Sequence, residues 1–272
     1  MSKKKVLIVT QEMQPYTESQ ISEIARQLPQ HIQNNGMEIR ILMPRYGIIN
    51  ERRHRLHEVV RLSGMNIIVN DDDYPLIIKV ASIPEARMQV YFLDNEDFFK
   101  RKEILSQKDG SPFEDATERM VFFCKGVIET VKKFGWAPDI VHCHGWMTSL
   151  IPLYLKTAYN NEPIFQNAKT IYSIYNSDLA YNLPIDNFVE IASINNLTES
   201  DLDAYLEDDK LTLFKGASTF ADGIINVPVE KGDEGLEFLD ETEKPFIKHE
   251  EEAYKPAYMD FYQTFLIEQM AE

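Results

Sequence analysis

Histidine, carboxylate and aromatic side chains cluster at three places in this 272-residue sequence where chemistry could be done. His142-Cys143-His144 puts two imidazoles at i and i+2, on one face of an extended segment, followed at once by Gly145 and Trp146. Gln11, Glu12 and Tyr16 follow an apolar run near the amino terminus, and Tyr175, Asn176 and Ser177 follow another. Polar groups that fix hydroxyls, next to rings that stack on apolar faces, suit a sugar better than a phosphate or a metal. A structural zinc needs four ligands, and no second cluster at ligand spacing accompanies the two histidines, so no metal and no cofactor are expected. Asp115 and Glu118 open a helical pattern, where carboxylates suit the helix dipole whatever else they do.

The elements that must position these groups follow from periodicity. Residues 5–10 read as a strand buried on both faces, residues 17–33 as an amphipathic helix, and residues 38–43 as a second strand, which together make a βαβ unit. Residues 59–70, 76–81 and 88–93 read as strands with no helix between them, a β-rich insertion closed by a turn at 71–75. The α/β alternation then resumes with a helix over 113–134, a strand over 139–143, a helix over 146–157, a strand over 169–175, a helix over 210–220 and a strand over 223–227. The expected fold class is α/β, a Rossmann-like doubly wound and mostly parallel sheet in which ligands bind beyond the carboxyl ends of the strands. The three clusters above all fall at such ends.

Composition narrows the function further. A net charge of −16 argues against a nucleic-acid partner, because phosphate neutralisation needs a basic surface. No apolar run approaches the roughly 18 residues of a membrane span, and the apolar core of the amino terminus is shorter than the roughly 7–15 residues of a secretory signal. Cys124 and Cys143 lie in apolar segments, as reduced thiols of a cytoplasmic protein would. Residues 230–272 carry 13 acidic and 4 basic side chains, more than half of the net charge. The expected division is therefore a domain over 1–229 and an acidic tail over 230–272 with a helix at 253–270. Arg45, Arg52, Arg53, Arg55 and Arg61 form a local basic patch, either solvated or a dock for an acidic surface such as the tail.

Asp139-Ile-Val-His-Cys-His-Gly-Trp-Met-Thr148 resembles the stretch Asp-Val-Val-His-Ala-His-Asp-Trp-Gln-Thr of bacterial glycogen synthases and plant starch synthases. Tyr91-Phe-Leu-Asp-Asn95 and Glu118-Arg119 match that family in the same order, and the likeness runs from the first strand to about Val229. The resemblance implies a single amino-terminal lobe of the GT-B architecture, in which this lobe holds an α-glucan acceptor and a second Rossmann-like domain holds ADP-glucose. It makes His144 the counterpart of an active-site histidine and Asp115 that of an active-site aspartate. Glu12, Tyr16, Trp146 and Asn176 become candidates for contact with sugar.

Departures from the family weigh against transfer. The family's Lys-Thr-Gly-Gly-Leu after the first strand is replaced by Tyr16-Thr17-Glu18-Ser19-Gln20-Ile21. The sequence has no glycine before Gly36 and no lysine or arginine between Lys5 and Arg26. A carboxylate beside a pyrophosphate repels it. Gly145 stands for an aspartate, Tyr175 for a histidine and Thr212 for an asparagine. The expectation is a glycogen/starch synthase-like protein that is incomplete or inactive as an isolated chain, with a protein partner supplying the donor domain. The alternative is a non-catalytic sugar-binding or regulatory module in which the tail caps the cleft.

Overall fold

Lys5–Thr10 (β1) is the central strand of the computed structural model, which describes residues 3–83, 86, 88–195, 197–230 and 232–268. Every residue of β1 after Lys5 is buried, the state that a continuous Val/Leu/Ile run reaches when helices cover both faces. Gln20–Asn34 (α1) follows, its start fixed by Ser19, whose hydroxyl accepts from the Ser22 amide at 3.1 Å. Ile21, Ile24, Ala25, Leu28 and Ile32 form its buried stripe. The chain turns at Gly36, where φ is +87°, and returns as Glu38–Pro44 (β2), parallel to β1.

The β-rich insertion then forms. It comprises Glu51–His54 (α2), His57–Glu58 (β3), Met65–Val69 (β4) and Asp72–Ile83 (β5), and leads into Met88–Asp94 (β6). The strand expected over 59–70 shortens to β4, with residues 59–64 turning before it, and the turn expected at 71–75 shrinks to Asn70 and Asp71. Both have positive φ, 49° and 66°, which is the backbone a tight hairpin demands, so Asp72 already belongs to the next strand. After Glu96–Phe99 (α3) come Ala116–Phe134 (α4), Ile140–His144 (β7), Leu150–Lys156 (α5) and Lys169–Tyr175 (β8). The long excursion to the next sheet strand holds Asp178–Tyr181 (α6), Phe188–Ala192 (α7), the hairpin Leu206–Glu207 (β9) and Lys210–Leu211 (β10), and Leu213–Phe220 (α8). Gly223–Val227 (β11), Phe246–Lys248 (β12) and Tyr254–Glu268 (α9) complete the order.

The main sheet runs β12-β11-β8-β7-β1-β2-β6-β5-β3, parallel from β12 to β6, with β5 and β3 antiparallel at one edge and β4 paired to β5. This is the expected α/β fold with its β-rich insertion. The acidic segment, expected as an appendage, instead extends the sheet. Ile224 of β11 lies opposite Phe246 of β12, and the Lys244 ammonium donates to the Ala221 carbonyl at 2.6 Å. α9 closes the face that carries His142. Gly223 leaves room for it, since a Cβ there would meet Phe265 at 2.5 Å and Phe261 at 2.9 Å. Residues 269–270 of the expected helix lie outside the described residues.

Candidate functional site

Strand register brings the ends of β1, β7 and β8 level, with Thr10 opposite His144 and His144 opposite Ser173. His142 and His144 share the face that α9 covers, while Cys143 points to the other face, towards Cys124. The two imidazoles lie 3.9 Å apart, centroid to centroid. His142 is held at both ring nitrogens, Nδ1 to the Tyr262 hydroxyl of α9 at 2.6 Å and Nε2 to Ser173 Oγ at 2.7 Å. His144 Nδ1 lies 3.0 Å from the Tyr175 hydroxyl, and its Nε2 is enclosed without a protein partner. Burial drives both imidazoles towards the neutral form, His144 to about 3 and His142 well below the usual range. His249, which donates to or accepts from Tyr258 at 2.9 Å, is lowered to about 4 by the same cause.

The other strand-end residues are also enclosed. Glu12 is buried and its carboxyl pKa is raised by desolvation, against hydrogen bonds from Gln11 and Ser19 that lower it. Gln11 links two strand ends, since its Oε1 accepts from the Met147 amide at 3.2 Å while its Nε2 reaches Glu12 at 3.3 Å. Trp146 begins a short 3-10 turn and is only 2% exposed. The Asn176 amide donates to the backbone carbonyls of Gly232 and Glu234, at 2.8 and 2.9 Å. The tail therefore lies on the strand end at the residue expected to meet sugar.

Asp115 stands apart from His144 in its contacts. It occupies the N-cap position of α4, and both its oxygens are taken by the Arg101 guanidinium in a bidentate pair, one contact being 2.8 Å. Arg119, fully buried one turn on, donates to the carbonyls of Phe98 and Ile104 at 2.9 and 2.7 Å, and burial lowers it to about 10. Tyr16 packs edge-on against His54 and Phe92 and lines a cleft beside α1, not the histidine pair. Sequence reasoning did not find Tyr262, Ser173, Tyr258 or the carbonyls of 232–234. The one available signal was the spacing of Tyr258 and Tyr262, four apart on an aromatic helix.

Among the described residues, no group of three or more His, Cys, Asp or Glu side chains converges to hold a metal, and no helix is long and apolar enough to cross a membrane. Residues 5–230 match the family model of the starch synthase catalytic domain. The chain belongs to that family. A glycogen synthase of Pelodictyon phaeoclathratiforme is 40% identical over 189 residues, 69% of this chain and 39% of that protein. A glycogen synthase of Chlorobium chlorochromatii is 41% identical over 186 residues, 68% of this chain and 38% of that protein. The chain thus spans well under half the length of these relatives. The catalytic domain of starch synthase IV from Arabidopsis thaliana, bound to ADP and acarbose, superposes with a TM-score of 0.74 at 19% identity, covering 91% of this chain and 51% of that one. That likeness shows the shared fold, one lobe of the GT-B architecture.

Within the starch synthase family pattern, Gly145 is not a simple vacancy for the missing aspartate. Its φ of +86° and ψ of 169° lie in a region essentially reserved for glycine, and a Cβ there would collide with the Gln11 side chain. Restoring the aspartate by Gly145→Asp should therefore destabilise the protein, by about 1–3 kcal/mol from backbone strain alone. Urea unfolding checks this. An unchanged midpoint would mean that the Gln11 side chain yields freely and the loop relaxes.

Proposed function

We propose that this chain is an acceptor-side lobe of the glycogen and starch synthase type, which engages α-glucan but does not transfer glucose on its own. Donor-side groups would come from beyond these 272 residues, on a partner polypeptide or on further chain. The observation that carries the second half is the strand end itself. The family's catalytic-histidine counterpart His144 is sealed, and Asn176 is spent on the chain's own tail. The loop after β1 adds no cation for a nucleotide, since Glu18 stands where the family lysine would be. His144 keeps its family correspondence without access to substrate in this conformation, and Asp115, half-buried, keeps its own while held by Arg101. Glu12, Tyr16, Trp146 and Asn176 serve structure before sugar. Buried free thiols at Cys124 and Cys143 fit a cytoplasmic setting.

Family membership and the glucan-making relatives support the α-glucan half, and the acarbose-bound starch synthase is a parallel for it. Two measurements test the proposal. Labelled ADP-glucose should not be incorporated into glycogen by the purified chain, and robust turnover would refute the inactive reading. Calorimetry with malto-oligosaccharides should show saturable binding. No heat across the millimolar range would favour the second reading, a protein-interaction module in which the tail permanently occupies the site.

A further inference from the structure

The basic patch at residues 45–61 is split by the fold. Arg45 is drawn into a buried ion network, its guanidinium on Asp94 at 3.1 Å and Glu51 at 3.2 Å, with Lys79 bridging the same two carboxylates at 2.7 Å each. Arg52, Arg53, Arg55 and Arg61 stay exposed, on α2, at its carboxyl end and in the turn after β3. Residues 52–61 hold these four arginines and one carboxylate, Glu58. Among the described residues none of the four makes an ion pair. Val60 stands among them 78% exposed, and a bare apolar side chain amid guanidiniums is the make-up of a protein interface. β3 is also the last strand of the sheet on this side, so this is an open edge.

The opposite edge of the same sheet carries the opposite charge. β12 ends the sheet there, and the segment leading into it, residues 233–243, has six carboxylates and no lysine or arginine. Asp233 is taken by Lys248 and Asn226, whereas Asp240, Glu241 and Glu243 are exposed and make no ion pair among the described residues. Phe246 and Ile247 of β12 are only half-buried. Seven strands separate β12 from β3, which puts the two edges about 38 Å apart. Residues 240–243 therefore do not reach the arginines of their own chain. A sheet with two open edges is prone to pair with another sheet, and charge decides which edges meet. Two arginine edges repel, two acidic edges repel, and only unlike edges attract. The net charge of −16 opposes association at low salt, but at 0.1 M the Debye length is about 10 Å and the facing side chains dominate.

We propose that this protein associates with a second copy of itself head to tail, the arginine edge at α2 and β3 of one copy docking on the acidic edge at residues 240–243 and β12 of the next. Such a contact joins unlike surfaces, so it builds rings or chains and not a symmetric dimer. Sedimentation velocity on the full chain, into the sub-millimolar range, tests it. The expected result is a mass that rises with concentration at about 0.1 M salt and returns to that of the monomer at about 0.5 M. Arg52→Glu with Arg61→Glu on one edge, or Glu241→Lys with Glu243→Lys on the other, should each weaken association about tenfold or more. Mixing the two variants should restore it, because the first keeps the acidic edge and the second keeps the arginine edge. A loss caused by misfolding would not be repaired in this way. A monomer at every concentration, association indifferent to salt, loss in only one of the variants, or no recovery on mixing overturns the proposal. Failure here leaves glucan binding untouched, because that is read separately with malto-oligosaccharides.

Discussion

Lowering the pH from 7.5 to 4.5 should strip this protein of a large part of its stability, and the histidines between the sheet and α9 are the reason. Their folded pKa values lie below the unfolded value of about 6.5, so the unfolded chain binds more protons below that pH. The stability they allow is complete above pH 6.5 and declines as pH falls towards the folded values, about 3 for His144 and about 4 for His249. For His144, fully buried, the loss by pH 4.5 is about 3 kcal/mol. His142 adds a loss of the same sign, tempered by its coupling to the neighbouring ring, and His249 adds a smaller one. Glu12 and Glu118 work in the opposite sense, because their raised pKa values mean that acid relieves their burial cost, but they are two carboxylates against three histidines, one of which is fully buried and lowered to about 3. Against a typical total of about 5–15 kcal/mol, the decline should bring unfolding within reach of mild acid.

Urea midpoints at pH 7.5 and 4.5 measure the effect. His144→Gln, which can keep the Tyr175 hydrogen bond without titrating, should flatten the pH dependence. Equal midpoints at the two pH values, or an imidazole resonance of His144 titrating near 6.5, would show that the ring is not sealed. Because His142 is tied to Tyr262, the decline should start with release of α9 from the sheet.

Trp146→Ala should cost about 3–5 kcal/mol, as for other large core side chains truncated to alanine. The indole sits two residues after the family histidine, at the position where a stacking platform for sugar would be looked for, yet it is almost wholly covered. The two roles give opposite results. A core tryptophan lowers the urea midpoint sharply while the folded fraction keeps its affinity for malto-oligosaccharide. A stacking platform leaves the midpoint near the parent value and abolishes the affinity. The burial favours the first.

Much of this architecture was legible because period-two and period-3.6 patterns report locally which side of an element is apolar. The residues 5–10, 139–143 and 169–175 each became a parallel strand within a residue or so of the expected bounds, and α1 lies over its expected stripe. Errors gathered where a short-range choice decides the chain path. A positive φ at Asn70 and Asp71 moved a turn, and residues 178–211, polar and mixed in pattern, became small helices and a hairpin that no period announced. β12 was missed because three residues carry too little pattern to count as a strand until β11 offers an edge.

By itself, the sequence determined the family, the α/β order, the strand-end positions of His144 and Asn176, and the lack of glycine or cation in the loop after β1. Each is a property of residue type and local spacing, which needs no partner to be read. Only the tertiary structure decided what those strand ends face. His142 meets Tyr262 across 120 positions, Asn176 meets the carbonyls of Gly232 and Glu234, and Arg26 joins Arg53 and Arg55 across a cleft. A pattern of apolar faces says that something must cover them and not what does. A buried polar group is recognisable as structural or reactive only once its partners are in place.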